Sequence, residues 1–462
     1  MSFQKVAVAN RGAVAARLVR TLGELGIKSL LLCSEADRDL PYVAMADESA
    51  VLGVGPPKDS YLNQEAVLEL AAKAGADAVH PGWGFLAENA GFARRVAARG
   101  MTFIGPAPDI LESMGHKVLA REAMARLGLP LAPSTGELAG TTAQMAAEAE
   151  KIGFPLLVKP AGGGGGIGMI PVTAREGLEK ALETARSAAS RGFGNESLYA
   201  ERLLVNPRHV EFQIAAAPGV PARALFERDC SVQRRRQKIL EEAGAPGVPR
   251  ADLDTMAGRA ASVMTRLGYD SLGTVETLFA PETGFYFLEV NPRLQVEHAV
   301  TEMVTGVDLV RLQILAAAGL GLEGLPPEGS LDAPRGHAVE ARVYAEDSLR
   351  FLPQPGPLNV FRPPAAKSWL RVETGLAEGC AVTPFYDPMI AQVIAWGRDR
   401  AEAVSRLSGA LAEFQVGGIK TNLGFLRLLL KDQAFLEGKV HTGLAEELVK
   451  RPGYKSELEA LS

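Results

Sequence analysis

Two spacings of apolar residues alternate along the N-terminal part of the chain. Segment 6–9 is a short apolar run, and after it Val14, Leu18, Leu22 and Leu25 recur at the spacing of one helix face. The same two patterns return as strand-like runs at 29–33, 76–80 and 101–104 and a helix-like segment at 65–74. Strands that alternate with helices predict a parallel, doubly wound α/β sheet.

The pattern changes near Gly115. A helix is predicted over 117–127 and a strand over 155–159, and a run of glycines follows that strand. Beyond the glycines, the pattern is typical of antiparallel strands as far as about Asn291. The middle of the chain is therefore expected to form a unit distinct from the first sheet.

Glycine and proline are frequent in segment 321–336, which predicts a linker. After it, a third unit of short strands and one helix is predicted from His337 to about His441. The fold class expected for the whole chain is α/β followed by α+β, and the sequence contains no internal repeat.

The composition is that of an ordinary globular protein. The chain has 462 residues, with 49 lysines and arginines against 54 aspartates and glutamates, for a formal charge of −5. This balance gives no support to a nucleic-acid or membrane surface, so we expect neither partner. Cys33, Cys230 and Cys380 lack the spacing of a disulfide framework or zinc site, and the weakly polar stretch 312–322 is too short to span a bilayer. We expect a cytoplasmic protein or, in a eukaryote, an organelle-matrix protein after processing.

Five consecutive glycines stand at 162–166, just after the strand that ends at Lys159. Such a loop exposes backbone N–H groups and tolerates positive φ, so it can fold over phosphate oxygens. The residue order differs from that of a P-loop, and a flexible surface linker is the alternative. Lys159 and Lys117, the latter at the head of a predicted helix, favour the phosphate interpretation.

Two β-rich runs, 274–279 and 285–291, are separated by a short turn and predict a hairpin. Because side chains alternate along a strand, Glu289 and Asn291 share a face, and pairing could bring Glu276 onto it. Two carboxylates and an amide oxygen are hard ligands that suit Mg²⁺ carried by a nucleotide. The alternative is one exposed glutamate on each strand, although the flanking residues are apolar.

Polar residues also occupy the run EVNPRLQVEH (289–298). If the chain stays extended beyond Pro292, then Arg293, Gln295 and Glu297 project to one side, where they could bind a small oxyanion and remove its proton. The alternative is an Arg–Glu ion pair at the start of the following helix.

A basic cluster closes the run ERDCSVQRRRQK (227–238). Alternation along a strand would place Arg234, Arg236 and Lys238 on one side, which suits ATP phosphates or bicarbonate. A solvated surface is the usual alternative for such a cluster.

In this order and spacing, these motifs resemble those of the biotin carboxylase family of ATP-grasp enzymes. The resemblance extends over nearly the whole chain and rests on the Lys159 glycine loop and on the runs VANRG (8–12), HPGWGFLAEN (80–89), NPRHVE (206–211), ERDCSVQRR (227–235), EVNPRLQVEH (289–298), GHAVEAR (336–342) and YDPMI (386–390). It implies an N-terminal doubly wound α/β domain at 1–114, an ATP-grasp domain at 115–334 with a mobile glycine-rich lid at about 132–204, and a C-terminal α+β domain at 335–445.

The resemblance also implies roles for individual residues. ATP would contact Lys117, Lys159, Gly165, Gly166, Glu201, Leu204, His209, Gln233, Arg236, Glu276 and Glu289. Mg²⁺ or Mn²⁺ would bind Glu276, Glu289 and Asn291. Bicarbonate would bind Lys238, Arg293, Gln295 and Val296. The catalytic residues implied are Lys238, Arg293, Glu297 as the base that deprotonates bicarbonate, and Arg342, which would bind biotin and stabilise the enolate form of its ureido group.

The activity implied is that of an ATP-dependent ligase that carboxylates carrier-bound biotin with bicarbonate through carboxyphosphate. The sequence contains no AMKM biotin-attachment motif and ends soon after the third unit, so the biotin carboxyl carrier and the carboxyltransferase are expected on other chains. Family members are commonly homodimers or parts of larger carboxylase complexes. Two alternatives stay open: an ATP-grasp ligase for another small acid, and a nucleotide-binding assembly subunit with weak or lost catalysis. The final acceptor, whether an acyl-CoA, pyruvate or urea, is selected by the carboxyltransferase and not by this chain.

Some positions depart from the family pattern. Arg236 stands where the family usually has a histidine, and His116 where it usually has an aspartate. The other departures are Ile167 and Ile170, which make the lid less basic, Trp83 for tyrosine, Ala13 for glutamate and Gln392 for lysine. The metal, bicarbonate and biotin positions all match, so we expect catalysis to be retained, with Arg236 replacing part of the charge lost from the lid.

Overall fold

The computed structural model describes residues 3–162, 168–327, 329, 331 and 333–461, except for the side chain of Phe193. The first unit is a sheet flanked by helices. Its strands are β1 (Lys5–Val8), β2 (Lys28–Cys33), β3 (Glu48–Val51), β4 (Ala78–His80) and β5 (Thr102–Phe103). Its helices are α1 (Gly12–Glu24), α2 (Gln64–Lys73), α3 (Ala90–Ala98) and α4 (Pro108–Gly115), with short 3₁₀ turns at Val43–Met45 and Pro57–Asp59.

The first sheet is parallel throughout, with the strand order β3-β2-β1-β4-β5. Val6 and Val8 of β1 pack with α1, whereas Ala7 and Ala9 pack with α2 and α3. Helices therefore cover both faces, which confirms the predicted doubly wound sheet. The sequence pattern missed β3 because its side chains are mostly exposed and form no apolar run.

The middle unit contains a small sheet and most of a large one. Its first elements are α5 (Lys117–Arg126), α6 (Thr142–Glu150), β6 (Leu156–Pro160), β7 (Ile170–Val172), a 3₁₀ turn at Arg175–Gly177, α7 (Leu178–Phe193) and β8 (Leu198–Arg202). The later elements are β9 (Arg208–Ala217), β10 (Val220–Arg234), β11 (Gln237–Ala243), α8 (Arg250–Leu267), β12 (Leu272–Ala280), β13 (Gly284–Asn291), α9 (His298–Thr305) and α10 (Leu309–Ala317). The small antiparallel sheet, with the order β7-β6-β8, shares a hydrophobic core with α6 and α7.

The third unit has more helices than the sequence pattern indicates. Its strands are β14 (His337–Tyr344), β15 (Gly356–Pro357), β16 (Val360–Arg362), β17 (Leu370–Glu373), β18 (Ala381–Val382), β19 (Met389–Gly397) and β20 (Gln415–Gly417). Its helices are α11 (Arg400–Glu413), α12 (Leu423–Leu429), α13 (Gln433–Leu436), α14 (Leu444–Lys450) and α15 (Tyr454–Glu459). The prediction of one helix is wrong, because four of these five helices are too short to show a periodic apolar pattern.

An eight-stranded antiparallel sheet joins the middle and third units. Its strand order is β13-β12-β9-β10-β11-β14-β19-β17, so the β11–β14 ladder links strands on either side of segment 321–336. The described residues of that segment contain neither helix nor strand. The domain limits 1–114, 115–334 and 335–445 stay predictions. Backbone hydrogen bonds of the β11–β14 ladder join the second predicted domain to the third. Among the described residues, no helix is both long and apolar enough to cross a lipid bilayer.

Two predicted local conformations are wrong. Arg234 pairs with Gln237 across the β10–β11 hairpin, so Arg235 and Arg236 form its turn, with φ of 49° and 68°, and the alternating basic strand does not exist. The turn lacks the Asn-Gly signal that usually marks such a hairpin. The chain also bends after β13, where the N–H of Arg293 donates to the carbonyl of Asn291 at 2.9 Å, instead of staying extended.

One buried carboxylate joins α9 to three other elements. Glu302 of α9 accepts hydrogen bonds from Arg17 of α1 at 3.3 Å and from the N–H of Leu309 of α10 at 2.7 Å, and it pairs with Arg371 of β17. Burial alone would raise the pKa of Glu302, but the positive charges around it, including those of Arg371 and Arg17, lower it to about 2. This network fixes the helix that begins directly after Glu297.

Replacing Glu302 with glutamine should lower the free energy of unfolding by about 3–5 kcal/mol at neutral pH, since it removes the carboxylate that pairs with the buried Arg17 and the partly buried Arg371. The stabilisation is present above the ordinary glutamate pKa and disappears as the pH falls toward about 2, because protonation removes the same charge. Urea titrations of wild type and Glu302→Gln across this range measure the difference. The exposed Arg398→Ala variant is the control and should behave as wild type. If the difference in free energy of unfolding between wild type and Glu302→Gln does not become smaller at acid pH, the assignment of an ionised Glu302 is contradicted.

Candidate functional site

Polar side chains line one face of the eight-stranded sheet. On β9, the apolar side chains pack into the core with α8, while His209 and Glu211 lie on the opposite face and are nevertheless buried. Glu276 of β12 is directly opposite Glu211, and Lys238 of β11 reaches the same place from the other side. The fold therefore gathers ionisable groups where water is largely excluded.

Lys238 binds three carboxylates at once. Its Nζ donates to Glu211 Oε2 at 2.7 Å, Glu276 Oε1 at 2.8 Å and Glu297 Oε1 at 2.7 Å. Burial alone would lower the pKa of Lys238, but the surrounding negative groups raise it well above the ordinary lysine value. Burial alone would raise the pKa of Glu276 and Glu297, but their cations, Lys238 first, lower both well below the ordinary value. The ammonium and these two carboxylates are thus ionised together.

Two arginines complete this buried cluster. Arg342 donates from Nη2 to Glu297 Oε2 at 2.9 Å, and its Nε lies 2.6 Å from Glu241 Oε1. Arg228, which is fully buried, pairs with Glu211. Each carboxylate oxygen of Glu297 therefore meets a cation, and the side chain is fixed between Lys238 and Arg342.

Arg293 contacts polar residues at the end of the β12–β13 hairpin and directly after it. It donates to Gln295 Oε1 at 2.8 Å and to Asn291 Oδ1 at 3.0 Å, and its ion pair is with Glu88. The expected alternative, an ion pair between Arg293 and the glutamate at the start of the next helix, is therefore wrong. Gln295 in turn donates to Glu276 Oε1 at 3.2 Å, which links Arg293 to the Lys238 cluster.

A second chain of contacts leads from Glu276 toward the β10–β11 turn. His209 Nε2 lies 2.9 Å from Glu276 Oε2, and His209 Nδ1 is 2.7 Å from the amide nitrogen of Gln233. Arg236 lies in the turn, three residues beyond Gln233. Burial lowers the pKa of Arg236, and the negative charge of Glu201 is among those that oppose this effect. The adjacent Arg234 points elsewhere, to Glu346 at 2.7 Å.

The two predicted phosphate lysines lie beside the small sheet. Lys159 of β6 donates to Glu201 of β8 at 2.7 Å, and both side chains are buried. Lys117 lies 3.3 Å from Glu289 Oε2. His116 is the N-cap of α5, because its Nδ1 accepts from the Leu119 N–H at 3.4 Å. The imidazole thus performs the capping function for which an aspartate is usually chosen.

The hairpin register places the predicted metal ligands together. Glu276 is directly opposite Glu289 in the β12–β13 ladder, which confirms the predicted pairing, and Asn291 lies two residues further on the same strand. Two carboxylates and an amide oxygen fit Mg²⁺, which prefers hard oxygen ligands and retains several waters or phosphate oxygens. Both carboxylates contact a lysine, so cations already balance their charge at this site.

Two predicted residues, Val296 and Leu204, play little part in this network among the described residues. Val296 contributes only its carbonyl, which accepts from Gln392 Nε2 at 2.7 Å. Leu204 is half-buried in the chain that leaves β8. Gly165 and Gly166 lie outside the described residues, as does Ile167.

Comparison with known families decides what kind of site this is. Residues 2–111 match the profile "Biotin carboxylase, N-terminal domain", residues 116–325 match "Carbamoyl-phosphate synthase L chain, ATP binding domain", and residues 340–447 match "Biotin carboxylase C-terminal domain". The chain belongs to the biotin carboxylase family. The resemblance inferred from the motifs is thereby confirmed, together with the three-part fold class and the assignment to ATP-dependent ligases.

Relatives of this biotin carboxylase family member cover nearly its whole length. Biotin carboxylase 2 of Bacillus subtilis is 44% identical over 96% of this chain and 99% of its own. Biotin carboxylase of Haemophilus influenzae is 44% identical over 94% of this chain and 96% of its own. The biotin carboxylase domain dimer of Hydrogenobacter thermophilus 2-oxoglutarate carboxylase, crystallised with MgADP, ADP and bicarbonate, has a TM-score of 0.93 at 38% identity, covering 97% of this chain and 98% of that one.

Sequence reasoning assigned no role to several groups that hold the biotin carboxylase site together. Glu211, Arg228, Glu241 and Glu340 are all buried on the polar face of the sheet. The run RHVEFQI (208–214) alternates polar and apolar residues, a period of two that marks Glu211 as facing the same way as His209. No comparable local signal identifies Glu241 and Glu340, whose proximity depends on the pairing of distant strands.

Replacing Lys238 with methionine should lower the free energy of unfolding by about 3–5 kcal/mol at neutral pH, because three buried carboxylates lose their shared cation. Without it their pKa values rise in the folded state, so the folded protein binds extra protons and its stability improves as the pH falls toward the ordinary glutamate value. Urea titrations at about pH 5.5 and about pH 7.5 should therefore show the smaller loss at the lower pH. An equal loss at both values would contradict the shared-cation arrangement, and Arg398→Ala again serves as the control.

Proposed function

We propose that this chain carboxylates N1′ of biotin on a separate carrier protein, using bicarbonate and ATP and releasing ADP and phosphate. The observation that carries the proposal is the contact chain Lys238–Glu297–Arg342, in which a buried carboxylate joins two cations. On one side of it lie the groups suited to a nucleotide, and on the other Arg342 faces the position proposed for biotin.

Bicarbonate would bind among Arg293, Gln295, the Val296 backbone and Lys238. An anion that arrives there takes part of the Lys238 charge now directed at Glu297. Because that charge lowers the pKa of Glu297, its diversion increases the affinity of Glu297 for a proton. Substrate binding thus prepares the base that removes the bicarbonate proton.

The deprotonated bicarbonate oxygen would attack the γ-phosphorus of ATP, and the bond to the ADP oxygen would break, giving carboxyphosphate and ADP. Such transfer depends chiefly on alignment and on neutralising the phosphate charge. Lys117 and Lys159 would contribute charge, with Glu201 holding Lys159 in place. Magnesium held by Glu276, Glu289 and Asn291 would supply further neutralisation of the phosphate oxygens.

Carboxyphosphate would then break into CO₂ and phosphate, and phosphate would take the N1′ proton of biotin. The nucleophilic nitrogen adds to CO₂, so the proton and the carboxyl group exchange places at N1′. Arg342 would stabilise the enolate oxygen of the ureido group, as a charge fixed in advance by Glu241 and Glu297.

Partners and compartment follow from the same reaction. The proposed partners are a biotin carboxyl carrier protein or domain and a carboxyltransferase, and we propose a homodimer or larger carboxylase complex in the cytoplasm. The dimeric relative from Hydrogenobacter thermophilus supports the homodimer, and other relatives are subunits of pyruvate carboxylase and of methylcrotonoyl-CoA carboxylase.

The deciding experiment measures ADP formation from ATP and Mg²⁺ with and without bicarbonate and free biotin. ADP release that requires bicarbonate and rises with biotin is the expected result. ADP release that depends on another small acid would overturn the proposal in favour of a different ATP-grasp ligase. ATP binding without any turnover would overturn it in favour of an assembly role without catalysis.

Replacing Arg293 with alanine should reduce bicarbonate-dependent ADP release by ~10²–10³, by analogy with the loss of one preorganised charge contact at an oxyanion site. Arg398→Ala, which removes an exposed arginine, is the matched control and should retain full activity. Wild-type turnover in Arg293→Ala would remove Arg293 from the proposed machinery.

Replacing Arg236 with histidine should weaken ATP binding, because it removes a permanent positive charge within electrostatic reach of Glu201. Isothermal titration with ATP and Mg²⁺ measures the change in Kd, which we expect to rise about threefold to tenfold. The matched control is Arg350→His, which lies on an exposed turn and should leave the Kd for ATP unchanged. Arg234→His is unsuitable as a control because Arg234 is buried against Glu346. An unchanged Kd in Arg236→His would contradict the compensation by Arg236.

A further inference from the structure

Five glutamates are buried around Lys238 and Arg342, none more than 4% exposed. They are Glu211, Glu241, Glu276, Glu297 and Glu340. The first four each form an ion pair with Arg228, Lys238 or Arg342. Glu340 is the exception: the described part of the chain provides no ion pair for it.

Glu340 is instead bound to a neutral amide. Gln392 of β19 donates from Nε2 to Glu340 Oε1 at 2.7 Å, and the same nitrogen donates to the carbonyl of Val296 at 2.7 Å. The two acceptors fix the orientation of the amide, since a flipped amide would direct its oxygen at the Val296 carbonyl. The second oxygen of Glu340 is buried, and no described residue makes a hydrogen bond to it.

A carboxylate in this place would be costly. Glu340 lies directly opposite Glu241 in the β11–β14 ladder, so two like charges would face each other in a buried position. Burial and the charge of Glu241 raise the pKa of Glu340 well above the ordinary value. Burial also raises the pKa of Glu241, to about 7, although Arg342 limits that rise from 2.6 Å. Of the two, Glu340 is therefore the acid that keeps the proton.

The remaining charged neighbours do not supply a cation for Glu340. On the polar face, Arg342 is already shared by Glu241 and Glu297. Beyond Gln392, the paired residue on β17 is Glu373, which is held by Arg20 and Arg371. On the opposite face of the sheet, His337 and Arg400 pair with Glu242.

We propose that Glu340 is a neutral carboxylic acid at working pH and that, with Gln392, it positions the Glu241–Arg342 pair and the Val296 carbonyl beside Glu297. An ionised Glu340 would compete with Glu241 and Glu297 for Arg342. The neutral acid leaves the Arg342 guanidinium shared by Glu241 and Glu297 only.

The protonation state is tested without any assay of activity. Infrared spectra of the full chain in H₂O and D₂O should contain the carbonyl stretch of buried carboxylic acid, and Glu340→Gln should weaken that band. Gln392→Lys should weaken the same band, since an added cation ionises Glu340. The matched control is Glu302→Gln, which removes a buried glutamate that is already ionised and should leave the band unchanged. A wild-type spectrum without the band, or a band of unchanged intensity in Glu340→Gln, would overturn the proposal.

Stability against pH gives a second, independent readout. A glutamate whose pKa is raised in the folded state does not lower the free energy of unfolding below about pH 4. It lowers that free energy progressively as the pH rises from there toward its folded-state pKa. Urea titrations should therefore show that Glu340→Gln removes part of the decline in stability of wild type above about pH 5. A parallel decline in both proteins would contradict the neutral acid.

The positioning role rests on the proposed carboxylase reaction and is read from the pH profile of kcat. Glu340→Gln resembles the neutral acid in shape but cannot ionise. The alkaline decline of its bicarbonate-dependent kcat should therefore begin at higher pH than that of wild type, because no proton is left to lose at this position. An unshifted profile would overturn the role. If wild type itself shows no turnover, the proposed function fails, while the infrared and stability results still decide the state of Glu340.

Discussion

Three carboxylates share the Lys238 ammonium, and the rest of the site is arranged around that fact. Each of them belongs to a different part of the chain: Glu211 to β9, Glu276 to the β12–β13 hairpin, and Glu297 to the start of α9. A buried cation of this kind is stable only where negative groups surround it, and those groups are stable only while it is present. A single side chain therefore joins the part of the site proposed for the nucleotide to the part proposed for biotin. The sheet provides the frame, since β9, β11 and β12 are strands of the same eight-stranded sheet.

The same dependence explains why a basic site for anions is lined with so many acids. The cations proposed to meet bicarbonate and phosphate are buried or partly buried, where an unpaired charge is costly before the substrates arrive. Glu201 holds Lys159, Glu289 holds Lys117, and Glu88 holds Arg293. Each pair keeps a cation ordered, so that an incoming oxyanion exchanges one partner for another without having to recruit a disordered side chain.

Local patterns in the sequence were sufficient for the parts of the site that lie on one hairpin or in one turn. The pairing of Glu276 with Glu289 follows from two β-rich runs and a short turn, and the structure confirms it. The turn at Arg235 and Arg236 was misread because neither residue is of the type that usually adopts positive φ. Glu211 could have been found from the period of two along β9. The Glu241–Glu340 contact could not, since the pairing of β11 with β14 is decided by the packing of the whole sheet and leaves no mark in either strand.

The ladder between β11 and β14 also limits how this protein can be dissected. Segment 321–336 resembles a convenient place to divide the chain, because its described residues form neither helix nor strand. A fragment that ends there would leave β11 as an open edge with unpaired backbone groups, and the complementary fragment would expose β14 in the same way. Both edges carry glutamates and apolar side chains that are buried in the intact chain and would become exposed to water. Separately expressed halves would thus be prone to aggregate, whereas halves produced together retain the complementary edge that each of them needs.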